Sequence, residues 1–193
     1  MPFRADNLDV DRAMVLVIDI QEKLLPTIDG HELILGASCK LLEAAGIFEL
    51  PVLATEQYAK GIGPTHGDLL RLLRAAGAQI IDKPTFSACG YDPVRSALAQ
   101  IDRPQVIVSG IEAHVCVQQT ALDLAAMDYD VYVCADAVGS RSRTDYEFAL
   151  QRVRTAGVLV TTVESVMFEL CERCDTDRFK RMLEVIKLSP PQG

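Results

Sequence analysis

The feature that most restricts what this chain can fold into is a repeated alternation of two hydrophobic periods. Six short runs rich in β-branched residues, MVLVIDI (14–20), PVLATE (51–56), AQIIDK (78–83), PQVIVSG (104–110), YDVYVCAD (129–136) and GVLVTTVES (157–165), are apolar on both alternating faces and bounded by Gly, Pro, Asp or Asn. That is how strands covered on both sides read. Between them lie segments of helical spacing. Residues 31–50 carry Leu33, Ile34, Ala37, Leu41, Leu42 and Ala45 three and four apart, and 66–76 end before Gly77, a helix-terminating residue. Residues 91–101 open with Asp92 as N-cap and Pro93 in the first helical position. Further helices are predicted over 114–127, 144–156, 165–174 and 175–188, with Thr144 and Glu147 spaced as a capping box. Six strand–helix alternations predict a parallel sheet with helices on both faces. At 193 residues the chain is too short for eight βα units, so the expected fold is α/β, an open three-layer αβα sandwich with a six-stranded parallel sheet, Rossmann-like, forming one domain over 1–193.

Composition narrows the partners. With 49 % hydrophobic residues the chain can build a core, which excludes disorder, and its net charge of −8 provides no basic footprint for nucleic acid or anionic membrane. No apolar run approaches the roughly 20 residues of a bilayer span. The opening MPFRADNLDVDR is polar and acidic, unlike a signal or transit peptide, so a cytoplasmic location is expected. Most of the six cysteines then read as small buried hydrophobes rather than disulfides. Cys171-x-x-Cys174 sits late in a helix with no second pair, against a zinc or redox site. No Gly-x-Gly-x-x-Gly follows the first strand, so no dinucleotide is expected.

In an open α/β sheet, ligands bind beyond the carboxyl ends of the strands. Those ends carry Asp19 and Gln21; Glu56, Gln57 and Tyr58; Asp82, Lys83 and Phe86; Ser109 to Cys116; and Asp136 to Arg143. Cys116 falls in the first turn of the 114–127 helix, where unpaired N–H groups favour a thiolate. Lys83 would lower its pKa further, and Asp19 would move its proton. From spacing alone, Cys116 fits a buried apolar residue equally well, Lys83 a surface lysine, and Asp19 a turn residue. Asp19 is the least ordinary of them, since a carboxylate closing an apolar strand requires a partner.

Six blocks in order, VLVIDIQEKLLP (15–26), TEQYAKGIGPT (55–65), KPTFSACG (83–90), GIEAHVCVQQTALDL (110–124), ADAVGSRSRTDYEFAL (135–150) and TTVESVMFEL (161–170), give the chain its resemblance to the isochorismatase-like cysteine hydrolases, in the isochorismatase-domain-containing branch, over roughly residues 10–185. The resemblance implies a six-stranded parallel sheet and an Asp–Lys–Cys triad at Asp19, Lys83 and Cys116. It also implies a cis, non-proline peptide at Ile111–Glu112 that aims the Glu112 N–H, with that of Cys116, at a developing oxyanion. Nicotinamidases of this superfamily hold a metal through an Asp and histidines after the second strand. Here that stretch, ATEQYAKGIGPTHGD (54–68), offers His66 alone, so neither metal nor other cofactor is expected. True isochorismatases cleave a vinyl ether without a cysteine, so Cys116 favours acyl chemistry.

The expected activity is therefore hydrolysis of a small amide-type (C–N) substrate through a Cys116 thioester, with Gln21, Gln57, Tyr58 and Phe86 as substrate-binding candidates. The alternatives are vinyl-ether hydrolysis or a non-catalytic binder on the same fold. His114 reads as a locally bonded helix-start residue, and Arg141 and Arg143 as solvated loop charges. Family members are commonly oligomeric, and the apolar segments Val158-Leu159-Val160 and Val166 to Leu170 suit a homo-oligomer surface.

Overall fold

The computed structural model describes residues 7–188; residues 1–6, on which part of the leader reading rests, and 189–193 lie outside the described residues. Six strands, β1 (Ala13–Ile18), β2 (Val52–Gln57), β3 (Gln79–Lys83), β4 (Gln105–Ile111), β5 (Asp130–Gly139) and β6 (Leu159–Thr161), form one sheet in the order β3-β2-β1-β4-β5-β6. Every pairing is parallel. The helices are α1 (His31–Phe48), the single turn α2 (Ala59–Ile62), α3 (Gly67–Ala75), α4 (Asp92–Ile101), α5 (Gln118–Ala126), α6 (Arg143–Thr155), α7 (Val163–Cys171) and α8 (Asp177–Leu188). None among the described residues is long and apolar enough to cross a membrane.

The continuous apolar runs are explained by the two cores they separate. On β1, Val15 and Val17 pack beneath α1, α3, α7 and α8, while Met14, Leu16 and Ile18 pack beneath α4, α5 and α6. Successive strand residues point to opposite faces, so a strand covered on both sides has no solvent-facing position to be polar. From β1 the chain winds outward through β2 to β3. It then returns to the other side of β1 and winds through β4 and β5 to β6. Strand order thus reverses between β1 and β4, and it is beyond the carboxyl ends at such a reversal that open α/β sheets bind ligands.

Gly110 sets how closely those two strands approach. Its φ is +151°, and a Cβ there would lie 2.4 Å from the Ile18 carbonyl oxygen and 2.9 Å from Ile18 Cα. The β4–β5 register shifts at the same place, between Val108 and Gly110.

Local signals misplaced several ends. Helix α4 is capped by Tyr91, with Asp92 and Pro93 as its first two residues, and Asp92 pairs with Arg95. Helix α6 starts at Arg143, with the Ser142 hydroxyl accepting from Asp145 N at 3.4 Å; Glu147 pairs with Arg143 at 2.8 Å and takes no part in a capping box. The last apolar run divides into a three-residue β6 and the start of α7, capped by Thr162. The predicted helix over 114–127 divides into a π-helical turn, Ala113–Val117, and α5. The apolar surface expected near the C-terminus does not form, because Val158, Val166, Met167 and Leu170 are core residues. Only Phe168 is exposed there, its ring centroid 6.4 Å from that of Phe179.

Gly110→Ala places its methyl against backbone that cannot move aside. We expect a loss of at least about 3 kcal/mol in stability, measured by urea unfolding, with Gly36→Ala, where a Cβ meets nothing within 4 Å, as the tolerated control.

Candidate active site

Asp19 is the first residue past β1 and turns the chain in the left-handed region, with φ of +55°. Its N–H still donates to Thr55 O at 3.0 Å, continuing the ladder with β2. The turn sends its carboxylate sideways over β2: Oδ1 accepts from Thr55 Oγ1 at 2.8 Å and Oδ2 from Lys83 Nζ at 2.8 Å. Lys83, the last residue of β3, sits two strands away and reaches back across Gln57, its register partner on β2. Both side chains of the Asp19–Lys83 pair are fully buried. The ammonium also donates to Gln57 Oε1 at 2.8 Å, Thr85 O at 3.0 Å and Phe86 O at 3.2 Å. A charge removed from water requires such a shell of oxygens, because its desolvation is otherwise uncompensated.

Cys116 joins this group from the other side of the crevice. Beyond β4, whose final peptide, Ile111–Glu112, is cis, the chain enters the π-helical turn, where Val117 N donates to Glu112 O at 3.2 Å. The Cys116 sulfur is buried and lies 4.0 Å from Gln57 Oε1. Its thiol is pushed up to about 12, by burial first and then by the charge of the Asp19 carboxylate; Lys83 acts the other way. The expected resting thiolate is therefore corrected. The Lys83 charge is already matched by Asp19 at 2.8 Å, so little of it is left to oppose burial. Burial raises Cys89 to about 12 as well and Cys39 to about 11, so acidity does not single out Cys116 in the resting protein.

The remaining candidates separate. Gln57 belongs to the cluster through Oε1, with its Nε2 donating to Pro84 O at 3.2 Å. Gln21 is fully buried, and its amide is taken up by the backbone of Gln57 and Gly63, which corrects its assignment to substrate. Tyr58 and Phe86 each expose 58 % of their surface, and it is the Phe86 carbonyl, not its ring, that contacts Lys83. Ile111 is a core residue. Glu112 accepts from Arg141 Nε at 2.9 Å and Arg141 N at 3.2 Å, so Arg141 is not merely a solvated charge. His114 Nδ1 lies 2.9 Å from Ser140 Oγ, so its partner comes from the loop after β5 and not, as expected, from its own helix start. His66 caps α3, accepting from Asp68 N at 3.4 Å.

Sequence reasoning missed Thr55. The signal was present, since Thr55 and Gln57 alternate on one face of β2 behind an apolar start. A cleft of about 230 Å³ between the start of α1, the end of β5 and α6 is lined by Asp29, Leu33, Asp136, Ser140, Arg143 and Tyr146 and contains none of the Asp19–Lys83–Cys116 group.

The family model described as isochorismatase domain matches residues 13–165. The chain belongs to the isochorismatase family. Isochorismatase domain-containing protein 1 of Danio rerio is 35 % identical over 188 residues, covering 97 % of this chain and 65 % of that protein. The chain thus spans under two thirds of that relative's length. Isochorismatase domain-containing protein 2 of the same fish is 37 % identical, covering 96 % and 92 %. Among solved structures, the MAR1 ribonuclease of Caenorhabditis elegans superposes with a TM-score of 0.90 at 37 % identity, covering 97 % of this chain and 95 % of that one. YcaC of Pseudomonas aeruginosa, carrying a covalent acrylamide, gives 0.89 at 26 %, covering 95 % and 93 %. YcaC of Escherichia coli, an octameric hydrolase of unknown specificity, gives 0.86 at 25 %, covering 97 % and 96 %.

In this isochorismatase-family chain the protonated state of Cys116 has a direct consequence for its reactivity. Alkylation by iodoacetamide is expected to be slow at pH 7 and to rise about tenfold per pH unit through pH 10, as the thiolate fraction does. Peptide mass spectrometry across that range reads it, and a plateau below pH 8 contradicts it.

Proposed function

We propose that this chain is a cysteine hydrolase that cleaves a small amide-type C–N bond through a Cys116 thioester, with Asp19 as acid and base and Lys83 as the charge that holds Asp19. The observation carrying this reading is the sealed Lys83–Asp19 contact of 2.8 Å beside a buried cysteine thiol. An acid, an ammonium and a thiol brought together from separate strand ends supply the base, the charge and the nucleophile that such a reaction requires.

Because the thiol rests protonated, attack and deprotonation are coupled. Asp19 takes the Cys116 proton as the sulfur bonds to the substrate carbonyl carbon. The electron pair moves onto the carbonyl oxygen, which the backbone N–H groups of Glu112 and Cys116 receive, each such donor being worth on the order of 3 kcal/mol. The tetrahedral intermediate collapses, the C–N bond breaks, and Asp19 returns the proton to the departing amine. Water then gives a proton to Asp19 and adds to the thioester. When the C–S bond breaks, the proton returns to sulfur and the acid leaves. Lys83 takes no part in the transfers and holds the Asp19 carboxylate in place between them.

The covalent acrylamide on the Pseudomonas neighbour is consistent with an amide-sized, electrophile-accepting pocket. RNA, suggested by the name of the nematode neighbour, is not the substrate proposed, because a net charge of −8 lacks the cationic surface that phosphate binding requires. Vinyl-ether cleavage would proceed without the thiol, which gives the decisive comparison. Against a panel of small primary amides, Cys116→Ala and Cys116→Ser are expected to lose turnover by about 10³-fold or more, and Asp19→Asn by about 10²–10⁴-fold. A thioester adduct should be trapped by mass spectrometry in acid-quenched wild type. Turnover that survives Cys116→Ala removes the nucleophile.

We also infer a homo-oligomer, as in the octameric Escherichia coli neighbour, with Phe148, Leu33 and Met127 among the exposed apolar side chains available for it. Light scattering coupled to gel filtration should return a whole-number multiple of the chain mass above one; a mass equal to one chain overturns it.

A further inference from the structure

Gln21 lies outside the proposed chemistry, yet it is the most completely engaged polar side chain near it. It is fully buried. Its Nε2 donates to Gly63 O at 2.6 Å and Gln57 O at 3.2 Å, and its Oε1 accepts from Gln57 N at 2.7 Å. Both donors are spent and the oxygen already accepts from Gln57 N, so this buried amide is committed to backbone. What the amide does is grip one residue from two sides, since both backbone groups of Gln57 are bound by the same side chain. Gln57 is the last residue of β2; β3 still pairs with it at Lys83, but the β1 register ends at Thr55, and Gln21 supplies the partners on that side. Its Oε1 lies 2.8 Å from Lys83 Nζ and 4.0 Å from Cys116 Sγ. Gln21 N in turn donates to Asp19 O at 2.9 Å. The contacts close a ring: Asp19 to Lys83, Lys83 to the Gln57 side chain, the Gln57 backbone to Gln21, and Gln21 back to Asp19.

We propose that Gln21 is a positioning residue that, through both backbone groups of Gln57, holds the Gln57 amide oxygen between the Lys83 ammonium and the Cys116 sulfur. Its third bond, to Gly63, ties the 58–66 loop to the same point. Glu56 Oε1 fastens that loop as well, accepting from Thr65 N at 2.6 Å and Thr65 Oγ1 at 2.8 Å. Without the clamp, the amide oxygen leaves the thiol and water enters beside it. Both changes favour the thiolate, so the sulfur becomes more reactive toward a simple electrophile while losing its ordered acceptor.

The inference rests on Cys116 being the nucleophile, and the experiment separates the two. The full chain is labelled with acrylamide from pH 7 to 10, and each cysteine is followed by peptide mass spectrometry, with the fully buried Cys134 reporting on folding. Loss of one hydrogen bond of ordinary strength corresponds to about a fivefold change. Gln21→Met and Gln57→Ala are therefore each expected to speed Cys116 labelling at pH 8 about fivefold or more. Their pH profiles should move downward while Cys134 stays protected, and the double variant should be no faster than either single, because both act through one oxygen. A Gln21→Met protein that melts earlier but labels Cys116 within twofold of wild type has lost only a structural bond, and the proposal falls. Gln57→Ala decides the matter if Gln21→Met does not fold: a wild-type profile there overturns the proposal, as does multiplication of the two effects. Wild-type Cys116 that stays unlabelled even at pH 10 instead overturns the nucleophile assignment.

Discussion

The buried contact between Lys83 and Asp19 is the constraint around which this end of the molecule is built. Two opposite charges with no solvent contact are tolerated only if each also has its other valences met, and breaking such a pair from one side costs about 3–5 kcal/mol. Meeting that demand draws in Thr55, Gln57 and the carbonyls of Thr85 and Phe86, and so ties together the ends of β1, β2 and β3 and the loop after β3. Among the described residues no buried side-chain polar atom lacks a partner, so the cluster is closed rather than strained by an orphan. Its position at the strand-order reversal follows from topology, because there the connections leaving β1 and β4 run to opposite sides.

The same neutralisation governs the sulfur. An isolated ammonium beside Cys116 would favour a thiolate, but an ammonium already matched by a carboxylate leaves burial in control, and the thiol stays protonated. In the proposed reaction this makes the carboxylate a working base rather than a bystander. It also keeps the resting sulfur quiet toward adventitious electrophiles, with its proton released when a carbonyl occupies the crevice. The clamp from Gln21 to Gln57 belongs to the same economy of contacts: an amide oxygen held in place beside the thiol restrains it between turnovers.

Much of this was legible beforehand. Fully apolar strand runs, such as the one ending at Ile18, specify a doubly covered sheet because every residue along them must find a hydrophobic face. Asp19 after such a run announced a buried partner, because an isolated carboxylate there would be too costly. Less legible were ends decided by competing caps of similar strength, as at α6, where Ser142 prevails over Thr144. Gln21 was misassigned because a polar residue at a strand end looks the same whether its amide meets a ligand or a neighbouring backbone.

The amino-acid sequence by itself determined the layer architecture, the family, and which strand ends carry an acid, an ammonium and a thiol. These depend on local periodicity and on residue identity, both of which are written along the chain. Only the tertiary structure decided that Lys83 is spent on Asp19, that burial pushes the Cys116 thiol up, and that Gln21 binds Gln57. Charge pairing, desolvation and hydrogen-bond saturation depend on distances between residues up to 97 positions apart, from Asp19 to Cys116, and no local pattern encodes those distances.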